Sequence, residues 1–223
     1  MTLRTAVDLS PRGRRLLTRS MQALLVAFVG VGVVRGSTGV VVNALVALGV
    51  TFLPALLEHE YGLPMDAGLT LWISATVFLH ALGVFGVPGV TGNLYAADSP
   101  IPFYDGLTHA LSASVVAAVG YTVARAVDEH TDAVELPPRF TFVFVLLFVI
   151  AFGVLWEVVE FAVGTLAAGV GGDVLTQYGL ADTIRDLVFD IVGGVVVATW
   201  GTAHLTDVAD AVSRRVGVRR DEG

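Results

Sequence analysis

The sequence contains no cysteine, which removes disulfides, thiolate-bound metals and cysteine nucleophiles from consideration. Lysine is absent too: all 13 basic residues are arginine. Charge of either sign is scarce, at 15% of 223 residues, and the balance is acidic, −7 at neutral pH. Phosphate backbones are bound by basic surfaces, so this excess of acid argues against nucleic acid as a partner. Charge is also missing over long runs. Several uncharged stretches approach or exceed the ~20 residues that cross ~30 Å of hydrocarbon.

What fills the chain instead is apolar: 55% of it is hydrophobic and its mean hydropathy is +0.77. Soluble domains sit near ~45–50%. Such a chain is an all-α, multi-pass protein of the cell membrane, with residues 1–223 forming one transmembrane helical domain and lipids as its immediate partners. The lysine-free, Asp-, Val-, Ala- and Gly-rich usage is that of salt-adapted archaea; it bears on surface charge and not on fold.

Six spans are expected, at about 18–34, 40–57, 67–86, 105–127, 139–168 and 182–204. Residues 1–18 are a basic N-terminus with no small-residue cleavage site after the first apolar run, so they read as a cytoplasmic lead-in to a membrane helix. The acidic stretch "EHEYGLPMD" closes the second span, and residues 206–223 form a cytoplasmic tail. With both termini inside, eleven of the thirteen arginines are cytoplasmic, leaving Arg35 and Arg185 outside.

Into this apolar chain the stretch "FGVLWEVVEFAVG" brings Glu157 and Glu160, three apart on one helix face. A carboxylate at membrane depth costs about 2.5–3.5 kcal/mol on insertion scales. A rise of ~1.5 Å per residue places both glutamates toward the outer end of their helix. The next helix back starts "YDGLTHALSAS", with Asp105 and His109 four apart, and the last starts "ADTIRDLVFDIVGG", with Asp182, Asp186 and Asp190 at spacings of four. All seven reach one level, the outer third of the membrane, where a shared polar pocket is expected.

Asp105 and Asp182 also suit helix starts, where a carboxylate caps free N–H groups, and Glu160 could reach the interface. His109, Glu157, Asp186 and Asp190 have no such role, and intramembrane ionisable groups mark functional sites. Their oxygen-rich set fits Mg²⁺ or Mn²⁺, and a single histidine argues against structural zinc. Arg185 can pair with one aspartate. His80 and Asn43 lie in the outer half, where interhelical hydrogen bonding is their expected role. Trp156 and Trp72 read as packing or interface anchors. The apolar stretches 115–123, 142–154 and 195–200 are expected to seal the pocket from the cytoplasm.

At "YDGLTHALSA", "LWEVVEF" and "DTIRDLVFDIVGG" the chain resembles the YjdF-like family of small integral membrane proteins, over roughly residues 100–200. The resemblance puts the family's motifs on Asp105 and His109, on Trp156, Glu157 and Glu160, and on Asp182, Thr183, Asp186 and Asp190. A fainter similarity to VanZ-like membrane proteins departs at Asp190, where those carry Asn. The family implies no defined activity. Three functions stay open: a protein that binds a divalent cation or lipid head group; a membrane-embedded metal-dependent enzyme on a lipid or lipid-linked substrate, with His109 or Glu157 as acid/base; and an ion- or proton-coupled carrier.

Overall fold

The computed structural model describes residues 9–87, 92–96, 99, 101–130, 136–169, 174–175, 178–201, 208 and 210–212. Among them there is no strand. Helices α1 (Pro11–Arg35), α2 (Thr38–Val50), α3 (Leu53–Tyr61), α4 (Ala67–Phe85), α5 (Tyr104–His130), α6 (Pro138–Gly169) and α7 (Leu180–Val196) follow one another, and a π-helical turn, Val197–Gly201, prolongs α7.

Their limits have local causes. Helix α1 begins seven residues before the expected start, because Ser10 accepts a hydrogen bond from the Gly13 N–H and Pro11 opens the first turn. The basic segment from Pro11 onward is therefore helical. Gly36, at φ 66°, ends α1 in the left-handed conformation that glycine adopts without cost. The second expected span is two helices. Pro54 stands in the first turn of α3 and cannot donate to the α2 ladder. Thr51 at the break donates to the Leu48 carbonyl (2.7 Å) and accepts from Gln22 of α1 (3.1 Å). Residues 58–61, expected as loop, complete α3. Asp66 caps α4 by accepting from the Gly68 and Leu69 N–H groups, an arrangement worth about 1 kcal/mol.

Among the described residues, five units are long and apolar enough to cross a membrane: Pro11–Arg35, Thr38–Tyr61, Ala67–Phe85, Tyr104–Glu129 and Pro138–Gly169. Helix α7 is 17 residues long and carries Asp182, Arg185, Asp186 and Asp190. The expected residues 202–204 of its span lie outside the described residues. Its polarity is inverted relative to a water-soluble helix: Asp186 and Asp190 are buried, while Ile184, Val188 and Val192 face outward at 54%, 53% and 48% exposure. That arrangement suits a lipid surround.

Two apolar clusters hold the bundle. One joins α1, α2 and α4 through Leu25, Phe28, Ala44, Ala47 and Ala81. The other joins α5, α6 and the π-turn through Ala113, Ala117, Ala118, Val145, Val149 and Val197. Helix α5 is the most enclosed of the five spanning units, 44% buried against 22–28%, and it makes its most extensive contact with α7.

Candidate metal centre

The site stands at the end of the bundle where α5 and α7 begin. Glycine brings those helices together: a Cβ on Gly193 would collide with the Ala110 carbonyl, and one on Gly106 with the Phe189 ring. The close approach carries Asp105 and His109 of α5 against Asp186 and Asp190 of α7. Helix α6 makes room for the last of these, since a Cβ on Gly153 would strike Asp190 Oδ2.

The imidazole of His109 organises the cluster. Its Nδ1 lies 3.3 Å from Asp190 Oδ1, in hydrogen-bond range. Its Nε2 lies 3.6 Å from Asp105 Oδ1 and 3.9 Å from Asp186 Oδ1, too far for hydrogen bonds. One ligand atom each from Asp105, His109 and Asp186 fall within 4.8 Å of one another. Two donors each ~2.1 Å from one hard cation are roughly 3–4 Å apart, so these spacings suit a shared ion. Asp186 is 2% exposed, and among the described residues its Oδ1 has no hydrogen-bond partner. An unpaired buried carboxylate oxygen costs more than a kilocalorie or two unless a proton or cation meets it.

The other expected residues divide. Glu160 and Asp182 line the same cavity, about 130 Å³, with Asp105, His109 and Asp186. Glu157 is 6% exposed and is not on that wall; its Oε2 accepts the Thr183 hydroxyl at 2.7 Å, tying α6 to α7. Asp182 Oδ2 accepts from the Tyr178 N–H (3.1 Å), and Asp182 Oδ1 lies 3.8 Å from Arg185 Nη1. Asn43, expected to bond between helices, instead donates to the carbonyls of Gly39, one turn back on its own helix, and of Val174, in the segment between α6 and α7, both at 2.9 Å. His80 is on the cavity wall, and its ring meets that of Trp156 edge-on at 6.0 Å. Trp72 donates to Ser114 Oγ at 3.1 Å.

Sequence reasoning missed the loop between α4 and α5. Leu94 is 2% exposed, and its N–H donates to the Gly83 carbonyl at 2.8 Å, so this segment folds into the bundle. Tyr95 follows it inward, donating to the His80 carbonyl (3.1 Å) with its hydroxyl also 3.1 Å from His80 Nδ1. Gly83 is the space for that ring: a Cβ there would come within 2.6 Å of it. Burial pushes the Tyr95 phenol well above its ordinary pKa, keeping it a neutral donor. Asn93, Tyr95 and Tyr178 also line the cavity. The signal was "NLY", two bulky residues in a stretch otherwise of small and turn-forming ones.

Residues 16–207 match a family model described as predicted membrane protein, DUF2238. Over 128 residues the chain is 32% identical to an uncharacterized protein of Thermotoga maritima, covering 57% of this chain and 58% of that one. The chain thus spans less than two thirds of the length of this curated relative. No solved structure matches.

Proposed function

The chain belongs to the DUF2238 family of predicted membrane proteins, and from that premise we propose that its His–carboxylate cluster binds a divalent cation, Mn²⁺ or Mg²⁺, near the outer face of the cell membrane. The observation that carries this reading is the division of labour on His109. Asp190 faces Nδ1 while Nε2 is turned toward Asp105 and Asp186; in this reading Nδ1–H donates to Asp190 and the Nε2 lone pair meets the cation. A carboxylate behind a histidine and open ligands in front is the usual arrangement around a bound metal. Asp105, His109 and Asp186 are the ligands, Glu160 and Asp182 add carboxyl groups to the cavity wall, and Glu157 positions α7 through Thr183. The finer family assignment as YjdF-like is part of the same proposal.

The topology proposed is six spans with α7 as the last and both termini cytoplasmic. It rests on the arginine asymmetry and on the outward apolar face of α7. A carrier is the weaker reading, because on one side of the site α5, α6 and the π-turn meet in the apolar cluster around Ala117 and Val149. With cysteine introduced at Ser99 or at Arg12, an impermeant thiol reagent should reach the first only from outside and the second only from inside. The reverse pattern removes the orientation.

The metal reading is tested by titrating Mn²⁺ into the purified, chelator-stripped protein and following the free-ion signal by electron paramagnetic resonance. One equivalent should bind, and Asp186→Asn should weaken it at least tenfold, since a neutral amide is a poor ligand for a hard cation. Unchanged affinity in that variant would leave the cluster as a protonated hydrogen-bond network.

A further inference from the structure

A second cavity, of about 480 Å³, adjoins the first and shares Asp105, Tyr95, Tyr178 and Asp182 with it. Its walls differ from the inner ones. Leu94, Ile101 and Pro102 supply an apolar side, and Arg185 supplies a guanidinium. Phe103 and Leu180, next in sequence to these walls, are exposed at 65% and 77%.

Arg185 is not consumed by its neighbours. Its side chain is 58% exposed, and among the described residues its ion pair is the single 3.8 Å approach to Asp182 Oδ1. Asp182 already accepts the Tyr178 N–H through its other oxygen. The planar fork of the guanidinium therefore keeps most of its donors for a ligand in the cavity. Carboxylates alone would repel an anion here, so the anion must arrive with the cation. A group with several anionic oxygens can meet both at once: one oxygen on the metal, others on the fork. Phosphate is the chemistry that arginine and a hard cation hold together.

Resting on the metal reading above, we propose that the outer cavity binds a phosphate group between Arg185 and the cation held by Asp105, His109 and Asp186. The apolar side of the cavity and its exposed phenylalanine and leucine suit a phosphate carried on a lipid; a free phosphate satisfies the same polar contacts.

The full chain is placed in nanodiscs of phosphatidylcholine, and Mn²⁺ affinity is measured by paramagnetic resonance with and without inorganic phosphate, and again in nanodiscs containing phosphatidic acid. A phosphate ligand should tighten Mn²⁺ binding roughly tenfold, by the reciprocity of coupled sites. Response to inorganic phosphate identifies a free anion, and response confined to phosphatidic acid identifies a lipid. Arg185→Gln should keep the basal Mn²⁺ affinity within about twofold and abolish the tightening, and Arg185→Lys should restore only part of it. Mn²⁺ binding that ignores both phosphate sources, or a coupling that survives in Arg185→Gln, overturns the proposal while leaving the metal site standing. Absence of Mn²⁺ binding in the unaltered protein overturns both.

Discussion

Where α1, α2 and α4 meet, the contact is aromatic and small-residue packing: Phe28 stacks on Phe85 at 4.0 Å and on Phe78 at 5.9 Å, with Ala44 and Ala47 beside them. Where α5 and α7 meet, at the end holding the site, the packed groups are an imidazole and three carboxylates. The first region is tolerant, because one hydrocarbon side chain replaces another at modest cost. The second is not, because each carboxylate needs a specific partner and each helix needs the other's backbone close by. In lipid, packing and polar contacts hold helices together, so the two regions do different jobs. The apolar region supplies the frame, and the polar region depends on exact approach for its chemistry.

The largest effect that separates them comes from glycine. Gly193 faces a backbone carbonyl, which cannot move aside, whereas among the described residues nothing lies within 4 Å of a Cβ added to Gly30 or Gly49. Gly193→Val should cost about 3 kcal/mol or more through overpacking and lost approach, and it should abolish metal binding as well. Gly30→Ala and Gly49→Ala should leave melting unchanged or raise it slightly. Melting of the purified variants in detergent decides this; equal behaviour of Gly193 and Gly30 would dissolve the contrast.

The next effect splits stability from binding. Phe28→Ala empties the centre of the apolar cluster and should lower the melting temperature clearly, by the equivalent of about 3 kcal/mol, with Mn²⁺ affinity within a factor of two. Asp190→Asn keeps the volume but withdraws the charge behind His109. It should weaken Mn²⁺ about 10–100-fold, the usual size of such an effect, with little change in melting. A Phe28→Ala protein that loses metal, or an Asp190→Asn protein that keeps it, would mean that frame and site are one unit.

How far each region can be read from sequence follows the same line. The spanning helices were legible because lipid demands uncharged length, and the gathering of Asp105, His109, Asp186 and Asp190 was legible because spacings of four align side chains on a face. The rotation of one helix against another was not. Glu157 shares its face with Glu160, yet Glu157 turns to Thr183 and only Glu160 reaches the cavity. The start of α1 was set by a serine cap inside a basic stretch, which hydropathy does not register. The proline that divides the second span stands in plain view at residue 54, but its consequence depended on Gln22 and Thr51 meeting at the break. Glycines such as 106, 153 and 193 look like ordinary membrane-helix residues until a neighbour's position is known.

The smallest expected effect concerns the loop that the polar region recruits. Tyr95 is held by shape and by one hydroxyl: its ring fills the space left by Gly83, and its O–H reaches the His80 carbonyl. Tyr95→Phe keeps the shape and removes the donor, so stability should fall by only about 0.5–1.5 kcal/mol. The His80 carbonyl belongs to a helix and retains its place without the phenol. His80 Nδ1, however, loses the hydroxyl 3.1 Å away, and the wall of the inner cavity becomes less polar beside Glu160 and His109. Mn²⁺ affinity should therefore change by less than about threefold, far below the effect of Asp190→Asn. Gly83→Ala makes the complementary change, leaving the donor and blocking the ring. It should displace the loop and cost more than the lost hydroxyl does. If instead Tyr95→Phe proves the more damaging of the two by thermal melting, the loop is held by its hydrogen bond and not by its fit.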